Sequence, residues 1–299
     1  MAESHLDTVR SRLGLSQKHE RKVNRRAGHI AVTHRGRGIV WGGYEENQVD
    51  NDQYLPSSEI MIYNSLTQTW MAKRTTGDVP TKCSGAAATV IGDMMYVVAG
   101  FHKIMISMKE LRARRHGHYV VGHMSDSDND SDSEEEEAEM FDTVEISNSI
   151  WSLDLEKYVW IKLSPSGEPP LRCDKTAAWS HGDKVYIFGG FGPPPSLTQE
   201  TKVGNLFEFC EDPQSNQSAY NRGWTSQLVC YNTSTNSWEW PVTSGPAPSP
   251  RAAHSVARVG DTAYVFGGRH LDTRLNDLYS LNLINLRSDN HYFKIISCK

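Results

Sequence analysis

Residues 184–191, KVYIFGGF, combine a short β-branched and aromatic run with a pair of glycines, and this combination decides the fold. The same pattern recurs as GIVWGGY at 38–44, MMYVVAGF at 94–101 and TAYVFGGR at 262–269. Each run is typical of a buried strand that ends at the pair of small residues. A pattern that returns at such intervals predicts a repeat architecture in which every copy forms the same small sheet.

Three further strand patterns flank each glycine pair. A stretch of small and apolar residues precedes it, as in CSGAAATVIGD at 83–93, which is typical of a strand buried on both faces. A predicted hairpin follows it, and a Gly/Pro-rich segment closes the unit. Each unit is therefore predicted to be a four-stranded antiparallel blade of an all-β propeller. The predicted hairpins join Tyr63 to Trp70, Leu153 to Trp160 and Tyr231 to Trp238, always seven residues apart.

Taken together, the glycine pair, the tyrosine position and the tryptophan resemble the kelch repeat. The resemblance implies a kelch β-propeller over residues 26–299 with four recognisable blades, after a basic N-terminal extension at 1–25. Kelch rings usually hold more blades, and the fourth unit has Ser288 at the tryptophan position. We therefore expect a chain truncated from a larger ring, with open edges that lower its melting temperature and favour association. A true four-bladed ring is the alternative.

Two connections are much longer than the others, at 102–147 and 193–226. Both join the second strand of a unit to the third, so both should emerge on one face of the disc, which usually marks the binding face. Residues 124–140 carry nine acids and no base, so the rest of the chain carries +4 against the −5 of the whole. This segment has almost no apolar side chains to bury, and we expect the loop at 102–147 to be disordered.

The sequence points away from several function classes. No GxSxG, HExxH, P-loop or GxGxxG pattern stands in a suitable context, and the five cysteines form no CxxC pair, so we expect neither an enzyme nor a cofactor or metal. The charge distribution lacks the broad basic face of a nucleic-acid-binding protein. No apolar run is long enough for a bilayer, and charges fill the start of the chain, so we expect no membrane partner and a cytoplasmic or nuclear location.

The residues that directly follow the glycine pairs are the first candidates for a binding site. Tyr44, Phe101, Phe191 and Arg269 hold this position in the four units and should surround one mouth of the central channel. We add Lys175, which precedes an inner strand, and Arg274. Cations and aromatic rings around a concave mouth suit the terminal carboxylate of a peptide. The alternative is a set of rim charges neutralised by neighbouring acids, namely Asp174, Asp272 and Asp277.

Several longer motifs resemble a narrower family, the kelch proteins that serve as substrate receptors of cullin-2 ubiquitin ligases. They are WGGYEENQV at 41–49, NRGW at 221–224, PSPRAAH at 248–254 and FGGRHLDTRLNDLYSLNL at 266–283. This family reads the extreme C-terminus of proteins and prefers glycine at the end. The resemblance implies pocket roles for Tyr44, Lys175, Trp224, Arg269 and Arg274, and for Phe191, where the family pattern has tyrosine.

Two partner expectations follow from this resemblance. Protein C-terminal peptides, or C-degrons, are the expected ligands of the propeller. An elongin and cullin-2 complex is expected only where a C-terminal helical segment beyond these 299 residues exists. The alternative function is a general kelch scaffold that binds a cytoskeletal or chromatin partner through its charged loops, in which case the mouth residues would be unimportant.

Overall fold

The computed structural model describes residues 23–45, 53–107, 140–215 and 221–291. Within this part of the chain, four antiparallel sheets of four strands each follow one another, and one gains a fifth strand. The sequence prediction of four kelch-type blades is confirmed.

The strands of the first two blades and of their connections occupy residues 30–162. In chain order they are β1 (Ile30–His34), β2 (Arg37–Trp41), β3 (Tyr44–Glu45), β4 (Gln53–Tyr54), β5 (Glu59–Asn64), β6 (Thr69–Arg74), β7 (Thr76–Gly77), β8 (Ala87–Ile91), β9 (Met94–Val98), β10 (Phe101–Ser107), β11 (Met140–Ile146), β12 (Ile150–Asp154) and β13 (Val159–Lys162).

The third and fourth blades follow over residues 177–291. Their elements are β14 (Ala177–His181), β15 (Lys184–Phe188), β16 (Phe191–Gly192), the helix α1 (Leu197–Val203), β17 (Phe209–Glu211), β18 (Gly223–Thr225), β19 (Leu228–Asn232), β20 (Ser237–Glu239), β21 (Ser255–Val259), β22 (Thr262–Phe266), β23 (Arg269–His270), β24 (Thr273–Arg274), β25 (Leu278–Asn282) and β26 (Arg287–His291).

Every blade is a simple meander. The strand orders are β1-β2-β5-β6, β8-β9-β12-β13, β14-β15-β19-β20 and β21-β22-β25-β26. In the second blade β7 adds to the outside of β13 in parallel, so the segment that leaves the first blade joins the sheet of the next.

The hairpin between the third and fourth strands of each blade has one recurring turn. The side-chain oxygen of its first residue accepts hydrogen bonds from the backbone N–H groups two and three positions later. At Asn64 these bonds measure 3.0 and 3.3 Å, and at Asp154 they measure 2.9 and 2.8 Å. Asn232 and Asn282 repeat the arrangement. A short polar side chain that closes the turn on itself explains the Asn and Asp at this position.

Each pair of small residues follows the second strand of its blade. The chain turns there, close to the backbone of the following blade. Gly43 has a φ of +86°, and a Cβ added to it would lie 2.6 Å from the carbonyl oxygen of Ala27. Only glycine fits this combination of left-handed backbone and close approach. In the second blade Ala99 replaces the first glycine and still adopts a φ of +64°, which costs free energy that glycine would not.

Successive blades pack face to face around aromatic side chains. Trp160 of the second blade is buried and lies against Trp41 of the first, with ring centroids 5.3 Å apart. Trp238 fills the corresponding place between the second and third blades. The outer-strand tryptophan therefore packs against the preceding blade. Trp70 of the first blade remains 44% exposed, and Phe266, on the opposite outer face of the fourth blade, is 47% exposed.

Near the axis, backbone hydrogen bonds connect the first turns of the four blades. The amide of Gly85 donates to the carbonyl of Gly28 at 2.9 Å, Lys175 donates to Gly85 at 2.8 Å, and Ala253 donates to Lys175 at 2.8 Å. All four residues have φ between +53° and +68°. With a left-handed backbone at this point, the N–H group of a residue can donate to the preceding blade while its C=O group accepts from the following blade.

The expected loop at 102–147 begins and ends as ordered structure. β10 and β11 pair over their whole length, from Phe101 opposite Ile146 to Ser107 opposite Met140. The expectation of disorder was therefore wrong for both ends, because each end carries apolar and β-branched residues that favour a strand. Residues 108–139, which include the acidic run, lie outside the described residues, as do residues 1–22 of the N-terminal extension.

The insertion expected at 193–226 contains α1, β17 and β18. Ser196 and Gln199 form a capping box at the start of α1, which satisfies backbone donors at the helix N-terminus. β18 pairs with both β16 and β17, so the insertion returns to the strand that follows the glycine pair. Residues 216–220 lie outside the described part. Among the described residues no helix is long and apolar enough to span a membrane.

Arg251 is fully buried and forms a bidentate ion pair with Asp277, at 2.6 and 3.0 Å. It also donates to the carbonyl oxygen of Gly267 at 3.0 Å, so it fixes the glycine turn of the fourth blade. Sequence reasoning placed Asp277 among the rim acids of the mouth; the structure assigns it to this internal pair instead.

We expect Arg251→Met to lower the free energy of unfolding by about 3 kcal/mol, because Asp277 and the Gly267 carbonyl lose their partner. The control is Arg269→Met, which removes a half-exposed arginine of the same blade and should cost less than about 1 kcal/mol. Urea unfolding of both variants measures the difference. Equal losses would contradict the structural role of Arg251, and adding Asp277→Leu to Arg251→Met should recover part of the loss.

Burial, reinforced by the charge of Arg251, lowers the pKa of His254 to about 4. In the unfolded chain this histidine titrates near pH 6.5, so protonation favours unfolding. Its contribution to stability is complete above about pH 6.5 and is lost as the pH falls toward 4. At pH 4.5 we expect the free energy of unfolding to be about 2 to 3 kcal/mol lower than at pH 7 because of His254, and His254→Gln should not show this decrease. Parallel stability curves for the parent and this variant between pH 7 and 4.5 would refute the assignment.

Candidate peptide-binding site

The four residues that follow the small-residue pairs occupy one structural position. Each forms an isolated antiparallel bridge with the residue that begins the inner part of its own blade. The bridges are Ala27–Tyr44, Ser84–Phe101, Asp174–Phe191 and Ala252–Arg269. The repeat equivalence inferred from the sequence is therefore present in the backbone.

Phe191 and Trp224 form the aromatic centre of the candidate site. They face each other across β16 and β18, and their ring centroids are 4.9 Å apart. Trp224 is almost fully buried, and the guanidinium carbon of Arg269 lies 5.8 Å from its ring centroid. A side chain from the insertion thus connects the mouth residues of the third and fourth blades.

Arg269 and Arg274 lie directly opposite each other on the two-stranded ribbon of β23 and β24. Arg269 donates from Nε to the carbonyl oxygen of Leu271 at 2.7 Å and lies 3.5 Å from Asp272. Within the described residues, no side-chain hydrogen bond or ion pair is found for Arg274. Because directly opposed residues of an antiparallel pair share a face, two positively charged side chains project from the same face of this ribbon.

Lys175 lies beside the aromatic centre and is tied to a buried acid. Its Nζ is 3.0 Å from Asp174, whose side chain is only 1% exposed, and it lies 5.6 Å from the ring of Phe101 and 5.8 Å from that of Phe191. Arg222 approaches the same carboxylate at 3.1 Å and stacks over Phe191 at 4.4 Å. One buried carboxylate therefore positions two cations.

These contacts define a continuous group that we call the cationic strip. It consists of Lys175, Phe191, Arg222, Trp224, Arg269 and Arg274. Its four cations face two carboxylates, those of Asp174 and Asp272, which leaves two net positive charges. Burial lowers the pKa of neighbouring His270, so this imidazole adds no charge at neutral pH.

Tyr44 stands apart from the cationic strip. Its ring lies 6.3 Å from that of Tyr54, its partner across β3 and β4 in the first blade. It occupies the equivalent repeat position, but among the described residues its ring contacts Tyr54 of its own ribbon. Of the six residues chosen from the sequence, five are therefore linked by contacts and the sixth is not.

The alternative of neutralised rim charges holds for part of the site. Asp174 binds Lys175, and Asp272 lies near Arg269, as that interpretation required. Arg274 has no such partner among the described residues. The local acids therefore leave the opposed arginines incompletely neutralised.

Sequence reasoning missed Arg222 and the role of Asp174. Arg222 directly precedes the Gly-Trp of the quoted NRGW motif, so the signal was present, but its target lies 48 residues away. Asp174 was treated as a rim acid, whereas its burial makes it the anchor of the strip. No group of three or more His, Cys, Asp or Glu side chains in the described residues is arranged to hold a metal ion.

Comparison with known proteins agrees with this architecture. A family model described as the KLHDC2/KLHL20/DRC7 Kelch-repeats domain matches residues 215–294. Kelch domain-containing protein 2 of Bos taurus is 36% identical over 260 residues, which cover 86% of this chain and 54% of the bovine protein. The human protein of that name is also 36% identical, over 85% of this chain and 53% of its own length.

This chain is a kelch-repeat protein homologous to Kelch domain-containing protein 2. Human Kelch domain-containing protein 1 is more distant, at 29% identity over 86% of this chain and 53% of its own length. The chain thus spans about half the length of these relatives.

A solved structure titled "Structure of YjhT" superposes with a TM-score of 0.54 at 13% identity, over 89% of this kelch chain and 69% of the other. At this identity the likeness concerns the fold alone, and it agrees with a propeller arrangement of the blades.

Lys175 is one of nine non-glycine residues in the described part of this kelch chain with a positive φ, which is +53° at this position. We expect Lys175→Gly to change the free energy of unfolding by less than about 1 kcal/mol. Relief of the left-handed strain offsets the extra entropy of glycine and the loss of a half-exposed ion pair. Lys175→Ala, which keeps the strain, should be the less stable variant. Thermal unfolding of both would contradict this account if the glycine variant were less stable than the alanine variant.

Proposed function

We propose that this kelch chain binds the C-terminal ends of other proteins at the cationic strip, as a binding module and not as an enzyme. The carboxylate of the peptide lies between Arg269 and Arg274. Lys175 and Arg222 flank the last residues of the peptide, and Phe191 and Trp224 cover them.

The opposition of Arg269 and Arg274 is the observation that supports this proposal most. Two guanidinium groups on directly opposed positions of a ribbon repel each other and destabilise the free protein. A carboxylate between them removes that repulsion and accepts charge-assisted hydrogen bonds from both. A single terminal carboxylate has the size and the charge that this arrangement needs.

The aromatic residues support a peptide with a small last residue. Phe191 and Trp224 are packed against each other with their planes tilted by 50°, and because Trp224 is only 4% exposed, Phe191 forms most of the accessible aromatic surface beside the cations. Glycine has no side chain to hold the carboxylate away from the arginines, and its backbone can lie directly on these rings. We therefore propose glycine-ended C-degrons as the ligand class, with Tyr44 contacting more distant peptide residues.

The wider role follows from the resemblance to cullin-2 substrate receptors. We propose that the full-length product presents such degrons to a cullin-2 type ubiquitin ligase, and that it does so in the cytoplasm or nucleus. Elongin and cullin-2 would bind through a segment outside this chain. The four cysteines in the described part are free thiols, which suits a reducing compartment.

The test is a titration of this kelch chain with fluorescent peptides that end in Gly-Gly, with free or amidated C-termini. We expect amidation, Arg269→Ala and Arg274→Ala each to weaken binding about 30-fold, which corresponds to about 2 kcal/mol for an anchored charge pair. Lys175→Gly should weaken it less, because its ammonium group is shared with Asp174.

Arg258→Ala provides the matched control. Arg258 is an exposed arginine of β21 that bonds to the carbonyl of Gly260, and its loss should leave peptide affinity unchanged. Equal affinity for the amidated peptide, or full binding by the Arg269 and Arg274 variants, would refute the carboxylate site. If binding then required residues 108–139 instead, the scaffold function would be favoured. Co-purification of elongin with the full-length product tests the ligase role separately.

A further inference from the structure

Ser288 occupies the position that tryptophan holds in the other three blades. It lies opposite Leu281 across β25 and β26. The same register places Trp160 opposite Leu153 and Trp238 opposite Tyr231. The fourth blade therefore presents a hydroxymethyl group where its counterparts present an indole.

The second blade shows what the indole does at this position. Trp160 is 1% exposed, packs on Trp41 of the preceding blade, and donates from Nε1 to the hydroxyl oxygen of Thr75 at 3.0 Å. Propeller blades diverge away from the axis, so a large ring on an outer strand fills the wedge between neighbours. Without the ring, the wedge must stay open or hold something else.

In the fourth blade the wedge is open. The hydroxyl of Ser288 donates to the carbonyl oxygens of Ser244 and Pro246, which gives the serine a partner but does not fill the space. A cavity of about 360 Å³ lies between the third and fourth blades, with Ser288 in its wall. Phe188 also lines it and precedes its glycine pair as Trp41 does in the first blade. The other side chains in its wall include the apolar Leu228, Val265 and Leu281 and the polar Asn205, Ser226 and Glu208.

One buried donor in this wall lacks a partner. Trp179 is 5% exposed, lines the cavity and stacks on Tyr186 with ring centroids 5.6 Å apart. Its Nε1 has no hydrogen-bond acceptor among the described residues. A buried N–H without an acceptor costs free energy, so an occupant that brings an acceptor would be favoured.

We propose that this interblade cavity binds a small, neutral, bicyclic aromatic molecule that carries one hydrogen-bond acceptor. Its ring would pack against Phe188 as Trp160 packs against Trp41, and its acceptor would accept a hydrogen bond from Trp179 Nε1. The cavity volume lies within the range of about 300–1,000 Å³ that is usual for small-molecule sites. Apolar cavities left by a missing side chain take up aromatic compounds of matching size. The exposed segment at 242–247 forms the rim through which the molecule enters.

The experiment uses quinoline and indole as probes of the complete chain, observed by methyl NMR and isothermal titration. Quinoline carries an acceptor nitrogen, whereas indole is a slightly smaller bicycle whose nitrogen carries a hydrogen and donates instead of accepting. We expect saturable quinoline binding with a Kd on the order of 1 mM or tighter, and at least five-fold weaker binding of indole. The methyl signals of Val265 and Leu281 should shift, whereas those of Leu153, beside the filled wedge of the second blade, should not.

Two variants separate the cavity from other aromatic surfaces. Ser288→Trp restores the missing indole and should abolish quinoline binding. Trp179→Phe keeps an aromatic ring but removes the N–H, so it should reduce the preference for quinoline over indole to less than two-fold. The proposal is wrong if the parent shows no saturable binding, if Leu153 shifts as much as Leu281, or if folded Ser288→Trp binds as tightly as the parent. If Ser288→Trp fails to fold, the methyl shifts and Trp179→Phe decide.

Discussion

At each junction between successive blades, two backbone hydrogen bonds run sideways next to the axis. One joins the left-handed residues at the start of the inner strands, as from Gly85 to Gly28 and from Lys175 to Gly85. The other runs from the second small residue of a pair to the next blade, as from Gly43 to the carbonyl of Cys83 at 2.9 Å. These bonds require positive φ angles at fixed places, and side-chain packing further out follows from the blade spacing that they set.

This constraint also places the candidate site. The residue after each glycine pair forms its bridge directly beside these sideways bonds, so its position is set by the backbone and not by its own side chain. The side chain is therefore free to vary, and tyrosine, phenylalanine and arginine all occur there. The side chain also varies at the left-handed position that begins each inner strand, where Lys175 stands although glycine would be easier to accommodate. Lys175 adopts this strained backbone beside the rings of Phe101 and Phe191, which is consistent with a binding role.

Much of the fold could be predicted, because the features that define it are local. The glycine pairs, the Asn- or Asp-closed hairpins and the seven-residue spacing all reflect turns and cross-strand pairs within about ten residues. The internal pair of Arg251 and Asp277 could not be predicted, since 26 residues separate its partners and other acids lie closer. The ribbon of β10 and β11 was missed for a related reason: the acidic segment between the two strands dominated the composition of the loop.

Two arginines of the fourth blade differ in burial, and this difference decides whether their charge is neutralised inside the protein or can bind an added anion. Arg251 and Arg269 are 18 residues apart in one repeat unit, and both are near a carboxylate. Arg251 has no exposed surface and holds its acid with two short bonds, so its charge is used inside the blade. Arg269 is about half exposed, its acid is 3.5 Å away and mostly in water, and a second arginine faces it. Water screens the weak pair of Arg269 and Asp272, and the charge of Arg274 repels that of Arg269. An added anion therefore stabilises the site around Arg269, whereas Arg251 already has its anion.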